Sequence, residues 1–168
     1  MKLIGCGLII ILTARIGAYF SASLDKRRKM LKTVGYMLED IAAMLRYKSA
    51  TVYEILEGLA ENERFSELTF IKAALKNAEP LTPFGETWEA AVNSSPCSAL
   101  LKSDLRLLKA IGKNLGKSDC EGQLSILCLE KEELRILTES AENDYSSKAK
   151  LYRMLGLLSG AFIVICIF

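Results

Sequence analysis

The chain has 168 residues, 51% of them hydrophobic and 25% charged, with a net charge of +2 and no histidine. That is enough chain for one domain with its own core, but the apolar residues gather at the two ends, where Leu3 to Ala14 and Met154 to Phe168 carry no charge. Between Glu39 and Asp144 stand 12 basic and 19 acidic residues, a net of −7, which argues against a general nucleic-acid binder.

The basic charge collects beside the apolar ends, at Lys26, Arg27, Arg28, Lys29 and Lys32 and again at Lys148, Lys150 and Arg153. Anionic headgroups favour such clusters by roughly 1 kcal/mol per Lys or Arg near the surface. The five cysteines, at 6, 97, 120, 128 and 166, show no C-x-x-C spacing. No metal site is expected from them, and they fit reduced thiols better than a disulfide framework.

Leu3 to Phe20 is an 18-residue apolar segment interrupted by Arg15. As a helix it reaches roughly 27 Å, against a hydrocarbon layer of ~30 Å. Arg15 lies in its last third, where an arginine can snorkel at less cost than at the centre. Three readings stand: a membrane anchor, a cleaved signal peptide with Lys2 and the small residues Ser21-Ala22-Ser23, and a segment lying in the interface. The anchor is the expectation carried forward. Leu3-Ile4-Gly5-Cys6 has the letters of a lipoprotein box but lacks an apolar stretch ahead of it.

Helical periodicity continues from this segment, with Leu31, Val34, Leu38, Ile41 and Leu45 at spacings of 3 and 4. Thr51-Val-Tyr-Glu54 has the spacing of a capping box and predicts a short helix toward Ala60. Another is predicted from Ser66 to about Lys76. Prolines occur only at 80, 83 and 96, and Thr82-Pro83 reads as the N-cap and first residue of a helix bearing Trp88. Leu101, Leu105, Leu108 and Leu115 mark a further helix, ended by Gly116. Ser118-Asp-Cys-Glu121 reads as a second capping box, opening a proline-free run into Leu151 to Phe168, also 18 residues. Leu127, Leu134, Leu137, Ala141 and Tyr145 are its seam.

The fold class expected is all-α: an antiparallel helical bundle whose two long helices run into N- and C-terminal membrane segments. The expected organisation is a transmembrane segment over 1–24, a cytoplasmic helical domain over 25–150 and a transmembrane segment over 151–168. The basic inner flanks place the middle in the cytoplasm by the positive-inside bias.

Gly112-Lys113-Asn114-Leu115-Gly116-Lys117-Ser118 imitates a P-loop, but its spacer is one residue short, Ile111 stands where the first glycine belongs, and no strand precedes it. Helix-capping roles for Gly116 and Ser118 account for it. Lys102, Arg106, Lys109, Lys113 and Lys117 fall at spacings 4, 3, 4 and 4, one basic stripe along a helix. Two readings compete: a solvated face paired with acids such as Glu130 and Glu133, and a docking face for an acidic partner. Gly156-Leu-Leu-Ser-Gly160 permits close helix approach in an apolar segment. No catalytic constellation is present, and without histidine general acid–base work would need a strongly shifted Glu or Lys. The expectation is a protein that is not an enzyme and takes no cofactor.

These residues resemble the stage III sporulation protein AB family of endospore-forming bacteria over essentially the full length. The most specific piece, Leu115-Gly116-Lys117-Ser118-Asp119-Cys-Glu-Gly122-Gln123, resembles the family's Leu-Gly-x-Ser-Asp-x-x-x-Gln turn. Lys150-Leu151-Tyr152-Arg153-Met-Leu155-Gly156, Trp88 after Gly85, Tyr47, and the Lys2-Leu3-Ile4-Gly5 start also agree. One departure stands at Thr51-Val52, where the family usually has Thr-Pro, so a looser start of that helix is expected.

The resemblance implies a membrane platform subunit of the complex that links mother cell and forespore, lying in the cell membrane, the outer forespore (mother-cell) membrane, with a domain similar to type II secretion and type IV pilus platform proteins. By that resemblance its partners are a cytoplasmic secretion-type ATPase, other subunits of the sporulation channel and membrane lipids. The expected partner-binding residues are Lys102, Arg106, Lys109, Lys113, Lys117, Ser118 and Asp119, with Gly156 and Gly160 as a membrane helix contact. The competing reading is a stand-alone membrane-tethered protein that binds lipid or senses a signal.

Overall fold

A computed structural model describes residues 2–48, 50–78, 83–95 and 99–167. Pro80, Thr82, Pro96 and Cys97 lie outside the described residues, as do the side chains of Lys2, Leu3, Ile4 and Cys6. Six α-helices follow in order: α1 (Lys2–Lys48), α2 (Val52–Glu61), α3 (Thr69–Lys76), α4 (Phe84–Ser94), α5 (Lys102–Asn114) and α6 (Cys120–Ile167), with a 3-10 turn at Glu63–Phe65. Among the described residues there is no strand, and the fold is an all-α helical bundle. The chain divides into two compact units, one of Lys29–Thr138 and one of Met1–Arg28 with Glu139–Phe168.

In the unit Lys29–Thr138, the α1 seam of Leu31, Val34, Leu38, Ile41 and Leu45 is buried throughout. Leu127 and Leu134 are buried on α6, and Gly35 lies against the Leu134 side chain. The antiparallel register of α1 and α6 shows in two contacts: Lys131 with Glu39 at 3.4 Å, and the Cys120 thiol donating to the Leu45 carbonyl at 3.2 Å. The short helices pack in succession, α2 on α3, α3 on α4 and α4 on α5. They add Ile55, Leu56, Leu59, Phe70, Ile71 and Trp88 to the core, each contributing about 1.5–3 kcal/mol of burial.

Trp88 organises the α4–α5 contact. Its indole is fully buried, and its Nε1–H donates to the Leu108 carbonyl at 2.7 Å. The Phe70 ring meets it edge-on with centroids 5.2 Å apart. The Phe84 ring lies against it with centroids 5.7 Å apart, and Gly112 of α5 stands so close that a Cβ there would fall inside the indole.

Several local expectations are corrected. Residues 63–65 form a 3-10 turn because the Asn62 side chain accepts from the Arg64 amide at 3.1 Å, so α3 starts at Thr69 rather than Ser66. Pro83 stands at the N-cap of α4 rather than in its first turn. On α5 the buried positions are Leu107, Leu108 and Ile111, while Leu101 is 51% exposed and Leu105 half-buried. Leu101 precedes the helix, and its amide donates to the Asp104 carboxylate at 2.9 Å. The start of α2 is not loosened by Val52. Thr51 accepts from the Glu54 amide, the Glu54 carboxylate accepts from the Thr51 amide at 2.7 Å, and this bond holds the Glu54 carboxyl below its usual range.

In the other unit, the first part of α1 and the last part of α6 cross at small residues. A Cβ on Gly156 would meet the backbone of Thr13 and Gly17, and one on Gly160 would meet Thr13 and Ile10. Gly17 is buried against the backbone of Tyr152 and Gly156. Beyond the crossing, Phe20 and Tyr152 meet with centroids 5.8 Å apart. An ionic clasp follows. Arg27, 4% exposed, pairs with Asp144 at 3.3 Å, and Arg28 pairs with Glu142 at 2.9 Å and Asp25 at 2.7 Å beneath the Tyr145 ring. Glu142 first, then Asp25, hold the Arg28 guanidinium above its ordinary value. Lys148 pairs with Asp144 at 2.6 Å. So Arg27, Arg28 and Lys148 engage α1 and α6 carboxylates rather than standing free for headgroups, because the antiparallel register brings Glu142 and Asp144 opposite them. Lys26, Lys150 and Arg153 are exposed.

Both long helices are long and apolar enough to cross a membrane, and only 11% and 17% of their apolar windows are buried. That separates them from the core helices of a soluble domain. Leu8, Ile11, Leu12, Ile16, Leu157 and Phe162 all stand more than half exposed.

Candidate functional site

The candidate surface is built by α5 and the turn that reverses the chain into α6. Lys102, Arg106 and Lys113 lie exposed along α5, with Lys109 half-buried between them. Lys109 pairs with Glu89 of α4 at 3.4 Å. Among the described residues Lys102, Arg106, Lys113 and Lys117 make no ion pair. The pairing of this stripe with Glu130 or Glu133 offered by the sequence does not form.

Glu130 is used differently. It is 6% exposed and accepts from the Asn114 amide nitrogen at 2.9 Å, at the last residue of α5. Burial pushes its carboxyl above the ordinary range; the Asn114 bond opposes this and the neighbouring Glu133 charge adds to it. A carboxyl raised in the folded state holds its proton more tightly there than when unfolded. Its stabilising contribution is therefore greatest when both states are protonated, and it falls as pH rises from about 4.3 through the folded value. At neutral pH the charge is a cost. Glu130→Gln keeps an acceptor for Asn114 and is expected to raise the melting temperature at neutral pH and flatten the decline above pH 5. A variant less stable than the parent at neutral pH would contradict this account.

The turn itself is closed by its own side chains. Gly116 stands at φ +79°, in the left-handed region that glycine adopts freely. Its amide donates to Gln123 Oε1 at 3.0 Å, and Gln123 Nε2 donates to the Ser118 carbonyl at 2.8 Å. One glutamine on α6 thus ties both ends of the turn. The N-cap of α6 is Asp119, whose carboxylate accepts from the Gly122 amide at 3.1 Å. The capping box expected between Ser118 and Glu121 is not formed, because Ser118 is drawn into the turn by Gln123 and Asp119 caps in its place. Val52 packs over Gly116, which joins this turn to the start of α2. The Leu-Gly-x-Ser-Asp-x-x-x-Gln pattern is therefore the covalent record of one rigid reversal that presents Lys117, Ser118 and Asp119 to solvent.

Sequence reasoning placed the stripe and the turn but missed Gly17, the Trp88–Gly112 contact and the Gln123 clamp. Gly17 carried a readable signal: in an antiparallel pair it falls opposite Gly156. In the sequence Gly112 reads only as part of a phosphate loop; its structural role is to admit the indole.

Among the described residues no group of histidine, cysteine, aspartate or glutamate side chains could hold a metal ion. Neither a curated protein nor a solved structure matches the chain. The family model of stage III sporulation protein AB does, over residues 2–168, and a match of that extent makes this chain a member of the stage III sporulation protein AB family.

Proposed function

We propose that this protein is a membrane platform subunit of the sporulation channel complex, with residues 1–24 and 151–168 crossing the membrane and residues 25–150 in the cytoplasm. The domain acts as a non-catalytic adaptor. Its exposed basic face on α5, continued by Ser118 and Asp119, docks a cytoplasmic secretion-type ATPase. The paired apolar ends, joined where Gly156 and Gly160 meet α1, anchor the platform in the membrane.

The observation that carries the docking reading is a row of cations of which Lys102, Arg106, Lys113 and Lys117 make no ion pair among the described residues, in a domain whose middle is acidic. Such a row steers an acidic partner and sets salt dependence. The rigid turn beside it fixes where the row ends. A stand-alone lipid-binding or sensory protein would use the basic flanks next to the apolar ends; there Arg27, Arg28 and Lys148 are engaged by Asp25, Glu142 and Asp144, which leaves that reading fewer cations, among them Lys26, Lys150 and Arg153.

The test is a double charge reversal, Arg106→Glu with Lys113→Glu, at two exposed positions outside the Lys109–Glu89 pair. Pull-down of the ATPase from sporulating cells is expected to fall at least tenfold at physiological salt. The melting temperature should hold, since exposed charges are worth no more than ~1 kcal/mol each. Undiminished pull-down would leave the row as a solvated helix face.

A further inference from the structure

The unit formed by the two apolar ends carries a groove of about 280 Å³ along one side of the helix crossing, lined by Thr13, Ile16, Gly17 and Phe20 of α1 and by Tyr152, Leu155, Gly156 and Ser159 of α6. We propose that this groove is a binding site for one acyl chain of a membrane phospholipid. The inference rests on the reading that both ends cross the membrane.

Three observations select a lipid chain over a third helix. The first is length. Thr13 to Phe20 and Tyr152 to Ser159 each span seven helical steps, roughly 10 Å. A membrane helix needs a seat along most of the ~30 Å hydrocarbon layer; a groove of this length lies inside one leaflet, as a lipid chain does. The second is the shape of the walls. The glycine α-carbons are turned into the crossing, Gly17 against Gly156, so they offer no flat seat to another backbone. What rises at the rim is Ile16, Phe20 and Leu155, each about half exposed. Close helix packing in membranes relies on small residues at the contact, whereas a flexible chain threads between bulky ones.

The third observation is polarity. The two aliphatic hydroxyls in the lining are already satisfied on their own helices, and the third hydroxyl, the Tyr152 phenol, belongs to the residue at the end of the groove. Thr13 Oγ1 donates to the Ile9 and Ile10 carbonyls at 3.1 and 3.0 Å, and Ser159 Oγ donates to the Gly156 carbonyl at 3.1 Å. The groove therefore asks for an apolar occupant. Its end is marked by Tyr152, a residue of the kind that sits at headgroup level, against Phe20. One turn further along α6, Lys148 already shares its charge with Asp144. The lining carries no charged side chain, so the chain rather than the headgroup carries the affinity within the groove, and anionic and zwitterionic lipids should be retained within a few-fold of each other.

The test is native mass spectrometry of the full chain in detergent micelles, with phosphatidylglycerol and phosphatidylethanolamine added separately. One retained lipid per chain is expected with either. Ser159→Phe, which fills the groove from α6, should cut retention at least tenfold, and Ile16→Trp should do so from the α1 wall. Leu158→Phe, on an exposed residue outside the lining, should leave it unchanged. Equal retention by the parent and both groove variants, equal loss in the Leu158 variant, or no retained lipid in the parent would overturn the site. Sidedness of the domain is read separately by labelling in cells, so a correctly oriented protein that holds no lipid sinks this inference alone.

Discussion

Gly112→Ala is expected to destabilise the protein by about 3 kcal/mol, at the upper end of what an extra methyl costs in a packed core. The added Cβ would fall within the indole of Trp88, which has nowhere to go: it is fully buried, wedged by Phe70, and tied to the Leu108 carbonyl at 2.7 Å. Moving the ring breaks that hydrogen bond in an apolar setting, which adds the cost of an unsatisfied buried donor. Thermal unfolding of the full chain in detergent micelles reads the loss. Trp88→Leu should also destabilise, but the pair of substitutions together should cost clearly less than their sum, because the smaller side chain makes room for the methyl. Strict additivity would mean that the two residues do not compete for the same space.

Gly116→Val is the second large effect, at about 2–3 kcal/mol. A β-branched residue at φ +79° pays for a left-handed conformation, and its side chain would also press on the Val52 methyl. The change reaches function through geometry, since Gln123 holds the Gly116 amide and the Ser118 carbonyl together. Gly116→Asn, a residue that tolerates the left-handed region, should lose less than half as much. If asparagine and valine cost the same, backbone conformation is not what the glycine supplies, and crowding against Val52 is.

Much of the fold could be read from periodicity. Leu31, Val34, Leu38, Ile41 and Leu45 lie one helical repeat apart and are all buried, because an apolar stripe on a helix has only one favourable place to go. The Thr51–Glu54 box was legible for a similar reason: both of its bonds are local in sequence. What failed was decided by competition between neighbours. Ser118 and Asp119 are both good caps, and only the reach of Gln123, five residues on, settles which one caps α6. Asn62 likewise pre-empts the start expected at Ser66.

Long-range partners were legible only where opposite charges happened to suggest them, and there the suggestion misled. Glu130 was offered to the α5 lysines but is bound by Asn114, and Lys109 turns instead to Glu89. The sequence offers Arg27 and Arg28 to lipid, but the antiparallel register sets Asp144 and Glu142 against them. Helical spacing reports which face a residue occupies; it does not report what stands across from that face. The Gly156–Gly160 spacing was visible, but Gly17, the other half of the crossing, belongs to a helix more than a hundred residues away in sequence.

The central claim is that the two apolar ends cross the membrane and hold the helical domain in the cytoplasm. The most direct measurement places a cysteine at Ala90, an exposed position on α4, alongside the native exposed Cys120 and Cys128 of α6, and treats intact cells with a membrane-impermeant maleimide. No labelling of position 90, Cys120 or Cys128 is predicted until the membrane is permeabilised, after which position 90 should react fully. Labelling of position 90 in intact cells would put the domain, and with it the basic face of α5, on the wrong side of the membrane for any cytoplasmic ATPase.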